Sequence, residues 1–282
     1  MVPKHADNIR RPPGFTTPRG RFSGKKHVFS ALDIRKIGGK TAGKFAFHRG
    51  CDTFPPEKRK DPRDIMEPVI TDITVIRHGQ TPANRLGIFQ GQIETHLDDL
   101  GRKQVACAAD RLKGEHFDVL FCSDLARARE TAAILLREIT VGEIVYEPAL
   151  REWSIGELEG RPVAEVRAKA PELVKSFAWE DPGFRIPGGE SRQELYDRVS
   201  RFLEGLANGP YKGKRILLVT HAGTLRMVFQ HITGGLRPGS ILVKSANASL
   251  SQFLRNGDRW QLCVWNDTGH LLHAEQHESV AP

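Results

Sequence analysis

Between positions 69 and 222 the apolar residues gather into short β-branched runs separated by longer stretches of helical period. The runs are Ile73 to Arg77, Val119 to Cys122, Ile144 to Tyr146 and Ile216 to Thr220. Their length and near-continuous apolar character predict parallel strands buried on both faces in the centre of a sheet. Asp98 to Lys113, Leu125 to Glu138, Val163 to Ala170 and Arg192 to Leu206 carry helical spacing instead. Ser191 and Glu194 supply a capping box for the last of these, and Pro162 suits the first turn of the third. Towards the C-terminus the period changes, because Leu250 to Leu254 and Trp260 to Trp265 flank Asn256-Gly257, a hairpin signal. Alternating strand and helix with a late hairpin predicts an α/β fold of three layers, α/β/α, in which helices cover both faces of a mostly parallel sheet. No internal repeat is present.

Composition narrows the class. The chain has 282 residues, of which 39% are hydrophobic, which excludes a disulfide miniprotein, a collagen-like repeat and a wholly disordered chain. No apolar stretch approaches the roughly 18 residues of a membrane span and none resembles a secretory signal, so a cytoplasmic protein is expected. Cys51, Cys107, Cys122 and Cys263 form no C-x-x-C and read as reduced, mostly buried thiols. The formal charge of +8 is uneven: residues 1–65 hold 16 Lys and Arg against 6 Asp and Glu, a net of +10, and the remainder is nearly neutral. Rich in Gly, Pro, Lys and Arg, residues 1–68 read as a disordered basic extension, 69–273 as the folded domain and 274–282 as a C-terminal tail. Three readings of the extension stand side by side: an organelle-targeting peptide, a weak binder of nucleic acid or anionic membrane, or a segment with no bearing on the domain. Met66, just ahead of the first strand, fits the last, since a start site placed too far upstream would look the same.

In open α/β sheets ligands bind beyond the carboxyl ends of the strands. Three such ends carry unusual side chains. Arg77-His78-Gly79-Gln80-Thr81 follows the first strand, with Asn84 and Gln90-Gly91 beyond; an Arg and a His followed by a Gly make a plausible anion cradle. Ser123-Asp124-Leu125-Ala126-Arg127 follows the second, where Ser123 or Asp124 would cap the helix. Arg127 then falls in a first turn whose dipole disfavours a cation, which argues for an anion nearby. Thr220-His221-Ala222-Gly223-Thr224 follows the fourth, with a helix N-terminus adding amide donors. Unit positive charges 4 Å apart repel by ~4 kcal/mol at an effective dielectric near 20, and a phosphoryl dianion would remove that cost.

These motifs, with Thr131, Leu150-Arg151-Glu152 and the ending Asn266-Asp267-Thr268-Gly269-His270-Leu271, occur in the order and approximate spacing of the histidine phosphatase superfamily, whose fold is phosphoglycerate mutase-like. The chain resembles that family from residue 73 to about 272. The resemblance implies that His78 is the nucleophile that becomes phosphohistidine. Arg77, Arg127 and His221 would clamp the phosphoryl oxygens, Asn84 would add a hydrogen bond, and Glu152 would be the proton donor. Thr81, Gln90 and Gly91 match substrate-contact positions, and Arg151 would orient the loop of Glu152. An imidazole attacks only while unprotonated, so His78 is expected neutral with its other nitrogen donating to a backbone carbonyl. His221 is expected to be the more basic imidazole, donating as imidazolium to the transferring group. A neighbouring dianion would favour the protonated form of Glu152.

The segment after Glu152 should separate phosphatases from mutases. In cofactor-dependent phosphoglycerate mutases the donor Glu is followed by a Tyr, a Lys and a paired Arg that hold the substrate's carboxylate and second phosphate. Here Trp153-Ser154-Ile155-Gly156 follows, with no paired Arg before Pro187. The chain is therefore similar to broad-specificity bacterial phosphatases and α-ribazole phosphatase, and a small phosphorylated metabolite is the expected substrate. Mutase-type transfer and a non-catalytic phospho-ligand binder are the alternatives. In the lid segment Arg161 to Arg185, Phe177, Trp179 and Phe184 face either substrate or core. Neither metal nor cofactor is expected, and His270-x-x-His273-x-x-x-His277 reads as a frayed, solvated end.

Overall fold

A computed structural model describes residues 69–175, 181–234 and 243–273. The basic extension, the C-terminal tail, Cys51, Phe177, Trp179 and His277 lie outside the described residues. The chain runs β1 (Ile70–Arg77), α1 (Pro82–Leu86), α2 (Asp99–Arg111), β2 (His116–Cys122), α3 (Ala126–Leu135), β3 (Thr140–Tyr146), α4 (Val163–Lys169), α5 (Pro171–Lys175), α6 (Arg192–Asn208), β4 (Arg215–Thr220), α7 (Ala222–Ile232), β5 (Leu250–Asn256) and β6 (Arg259–Asp267). The six strands form one sheet in the order β3-β2-β4-β1-β5-β6. β1 to β4 are mutually parallel, and the hairpin of β5 and β6 joins antiparallel beside β1.

Apolar runs produce this sheet because alternate side chains of each central strand enter opposite layers. Ile76, Leu120, Leu217 and Val219 pack with Val105, Ala108, Ala128 and Leu135 of α2 and α3. Val75, Phe121, Ile216 and Leu218 pack with Leu195, Val199 and Leu203 of α6 and Leu225 and Val228 of α7 on the other face. The capping box is present as read: Ser191 Oγ accepts from Glu194 N at 3.2 Å while Glu194 accepts from Ser191 N at 2.8 Å. The hairpin turns on Gly257, whose φ of +55° suits the first residue of a two-residue connection.

Four expectations need correction. β3 is an edge strand paired only with β2, and its Ile144 and Tyr146 are exposed rather than central. Pro162 stands at the N-cap of α4, one residue before the first turn. Of the three described cysteines only Cys122 is buried, while Cys107 is half-buried and Cys263 exposed on β6. The C-terminal segment is tied in as far as His270, which is half-buried and donates from Nε2 to Ala248 O at 3.0 Å, while Leu271 packs on the core.

Candidate active site

Strand register places the three motifs at one rim. Arg77 pairs with Thr220 and Cys122 with Val219, so β1, β2 and β4 end level with one another. Each chain then leaves the sheet tethered to its neighbour: His78 N donates to Thr220 O at 2.9 Å and Ser123 N to Val219 O at 3.0 Å. Gly79 permits this packing, because a Cβ there would stand 2.5 Å from Gly101 O at the start of α2. Beyond β3 a short 3-10 turn, Pro148–Leu150, carries Glu152 back across the rim. Thr220 Oγ1 and Thr224 Oγ1 donate to the carbonyls of Leu150 and Arg151 at 2.8 and 2.6 Å, and Arg198 Nη1 donates to those of Ala149 and Arg151 at 2.8 and 3.1 Å.

A cavity of about 570 Å³ opens where these segments meet, walled by Arg77, His78, Asn84, Gln90, Gly91, Arg127 and Glu152 among others. Arg127 and Glu152, 49 and 74 positions from His78 in sequence, thus share one hollow with it. Its ring Nδ1 donates to Gly79 O at 2.7 Å, which leaves Nε2 as the unprotonated atom toward the cavity. Among the described residues Arg77 is tied only by Nη1 to Ser245 O at 2.6 Å, and its buried Nε has no partner there. Arg127 is more committed. Its Nε donates to His221 Nδ1 at 3.2 Å, Nη1 to Ile93 O and Thr95 Oγ1, and Nη2 to Gly91 O at 2.7 Å. Four of five guanidinium protons are thereby engaged, so Arg127 has one left for a ligand. Asn84 Oδ1 accepts from Thr81 and from Asn247 Nδ2, which turns its NH2 group to the cavity.

Glu152 lies at the N-terminus of α7. Its Oε1 accepts from Gly223 N at 2.9 Å and from Trp153 N at 2.8 Å. Ser123 and Asp124 do not cap α3, whose N-cap Leu125 makes no side-chain bond. Ser123 Oγ meets His221 Nε2 at 2.7 Å instead, and Asp124 forms a two-point ion pair with Arg151, the residue expected to orient this loop.

Two of the expected site residues lie off the cavity wall. Thr81 is fully buried as the N-cap of α1 and is not on the cavity wall, because its hydroxyl serves Asn84 N, Asn84 Oδ1 and Gln90 Oε1. His221 is also off the wall. It is fully buried behind His78, ring centroids 5.1 Å apart, with both nitrogens engaged by Arg127 and Ser123. A nitrogen that accepts from a guanidinium cannot carry a proton, so His221 is neutral here. Burial first, and then Arg127, holds both His78 and His221 well below the ordinary imidazole range, so protein groups alone do not make His221 the more basic ring. Burial likewise pushes Arg77 down to about 10.

Known proteins resemble this chain in sequence and in fold. Residues 73–268 match the profile of the histidine phosphatase superfamily (branch 1). The chain belongs to that superfamily. A metal-independent phosphoserine phosphatase of Arabidopsis thaliana is 36% identical over 208 residues, covering 73% of this chain and 85% of that protein. Phosphoglycerate mutase-like protein 4 of the same plant is 36% identical over 219 residues, covering 76% of this chain and 92% of its own. Among solved structures, the α-ribazole phosphatase of Shigella flexneri aligns at a TM-score of 0.61 and 27% identity over 70% of this chain and 96% of that one. The activity class of this histidine phosphatase is phosphomonoester hydrolysis.

Sequence reasoning missed part of the wall of this histidine phosphatase. Arg167 of α4, Arg226 of α7 and Lys244 reach the cavity, as do the apolar Phe89 and Trp153. Phe184 instead packs with Ile155, Leu158, Val166 and Ile186. Arg226 had a signal, since it is four residues after Ala222 on the same helical face. Arg167 had none, because α4 is brought in by a bridge between Ile88 and Pro162 and by Val163 N donating to Gly87 O. Among the described residues no helix is long and apolar enough to cross a membrane, and no group of three His, Cys, Asp or Glu is placed to hold a metal.

The buried imidazoles set a pH dependence of stability. Both folded-state values lie well below 6.5, so below pH 6.5 the unfolded chain binds protons that the native state does not. Stability is expected to be full above pH 6.5 and to fall between pH 6.5 and 5, by at most about 1.4 kcal/mol per pH unit for each ring. Urea unfolding at pH 7.5, 6 and 5 measures it, and His221→Gln should flatten the slope; a wild-type curve level over that range would contradict neutral burial.

Proposed function

We propose that the chain hydrolyses phosphomonoesters of small metabolites by way of a phosphohistidine on His78 Nε2. One observation carries this reading: a buried imidazole fixed by Gly79 O in the tautomer whose free nitrogen meets a cavity walled by Arg77, Arg127, Asn84 and Glu152. Nε2 attacks phosphorus as the bond to the leaving oxygen breaks, and protonated Glu152 delivers its proton to that oxygen. The carboxylate so formed, held by Gly223 N and Trp153 N, then takes a proton from water as water attacks phosphorus. The P–N bond breaks, its electron pair returns to Nε2, and inorganic phosphate leaves. Arg77 supplies most of the charge-assisted donors to the phosphoryl oxygens, Arg127 one, and the Asn84 amide another. His221 is a positioning residue in this reading, since it orients Arg127 and packs against His78. Gln90 and Gly91 border the leaving group.

Rapid-quench mixing with 4-nitrophenyl phosphate tests this. A burst of 4-nitrophenol stoichiometric with enzyme, together with acid-labile phosphate on His78, is expected, with all phosphate ending in water. Turnover without label on His78 would refute the phosphohistidine. Transfer of the label to a second position of an added phosphoglycerate would replace hydrolase by mutase.

A further inference from the structure

The cavity wall carries more positive charge than one phosphoryl group neutralises. Its charged side chains are Arg77, Arg127, Arg167, Arg226 and Lys244 against the single acid Glu152, a net of +4 with Glu152 ionised. A bound phosphoryl dianion leaves +2. The protein does not make up the difference: Arg167, Arg226 and Lys244 form no ion pair with any described residue. Arg226 is the most telling of the three. It is half-buried, its Nε is shielded from water and has no hydrogen-bond partner among the described residues, and Glu152 is the acid that bears on its charge. Burying a guanidinium N–H without an acceptor is costly, and where such a group borders a binding cavity a ligand atom is the natural partner.

Position distinguishes this set from the phosphoryl cradle. Arg226 lies one helical turn beyond Gly223, whose N–H holds Glu152, so it stands on the side where the leaving oxygen is protonated. Arg167 comes to the same cavity from α4, which the Ile88–Pro162 bridge pins beside the loop containing Gln90 and Gly91. We infer that the leaving group carries its own anionic group, a carboxylate or a second phosphate, and that Arg226 with Arg167 holds it on the Glu152 side of the cavity. The segment directly after Glu152 lacks the cations expected of such a clamp; here two different helices supply them. Guanidinium groups match the planar, two-oxygen face of either anion. The inference rests on the hydrolase reading and deepens it, by naming the class of ester.

A matched pair of substrates tests it: 4-carboxyphenyl phosphate and 4-carbamoylphenyl phosphate have nearly the same shape and differ by one charge. The wild-type protein is expected to favour the carboxylate at least about tenfold in kcat/KM, as one charge-assisted contact would give, mainly through KM. 1,4-Phenylene bisphosphate, run beside them, tells a carboxylate-selective subsite from a phosphate-selective one. In Arg226→Gln the preference should fall toward one, and in Arg167→Gln, at an exposed position where folding is not at stake, it should fall in the same direction. A wild-type ratio near one for both anionic esters, or a tenfold ratio that neither variant moves, would overturn the subsite while leaving the hydrolase intact. If all three esters and 4-nitrophenyl phosphate go unhydrolysed, the hydrolase reading fails and the subsite with it.

Discussion

His78→Ala should lower kcat on 4-nitrophenyl phosphate by about 10⁴-fold or more, the scale on which removal of a covalent nucleophile acts when the surrounding binding groups remain. The size reflects the groups that the substitution leaves behind. Arg77, Arg127 and Asn84 still present donors to a phosphoryl group, yet among the described residues no other imidazole lines the cavity to replace Nε2 as the attacking atom. The cost to the fold is small by comparison. The ring's one hydrogen bond is local, to Gly79 O, and its backbone ties to Thr220 O, Ala248 N and Asn247 Nδ2 do not involve the imidazole. Unfolding should therefore stay cooperative, with a stability loss of roughly 1–3 kcal/mol for one hydrogen bond and a buried ring. Calorimetry and single-turnover kinetics on the same sample separate the two effects. A variant that folds and keeps more than about a hundredth of wild-type kcat would take the nucleophile's role away from His78.

The three strand ends were legible in the sequence for a reason that extends to the site. A central parallel strand is buried on both faces, so Ile73 to Ile76, Val119 to Cys122 and Ile216 to Val219 stand out as unbroken apolar runs, and ladder register fixes the residues after each run at the rim. Arg77, His78 and Arg127 inherit their positions from that. β3 departs from that pattern: Ile144 to Tyr146 alone resembles a core strand, whereas the full Thr140–Tyr146 includes Thr140, Gly142 and Glu143 and has no buried residue, as an edge strand allows. His221 shows where reading from a strand end fails. Its backbone is at the predicted place, but the direction of its ring depends on Ser123 and Arg127, each about a hundred residues away in sequence. Arg167 and Lys244 belong to segments whose approach is set by tertiary contacts, so no local period announces them.

Glu152→Gln should reduce kcat/KM by about 10²- to 10⁴-fold on an alkyl phosphate, the usual scale for loss of a general acid, and by much less on 4-nitrophenyl phosphate, whose leaving oxygen needs no proton. That contrast separates acid catalysis from loss of charge alone, which would affect both esters alike. Gly223→Ala tests the same group without touching it. A Cβ at position 223 would fall well inside contact distance of Glu152 Oε1, and the atom obliged to move is the end of a flexible side chain. Burial and φ at residue 223 permit alanine, so the expected result is a stable protein in which Glu152 has left the Gly223 N–H. Its kinetic defect should be partial, about 10- to 100-fold as for a misplaced catalytic group, with the same dependence on leaving group. Combining the two changes should cost little more than Glu152→Gln alone, because the second substitution then displaces a group that no longer transfers protons. Additive losses in the double variant would show that Gly223 acts through something other than Glu152, the Arg226 side of α7 being the nearest alternative.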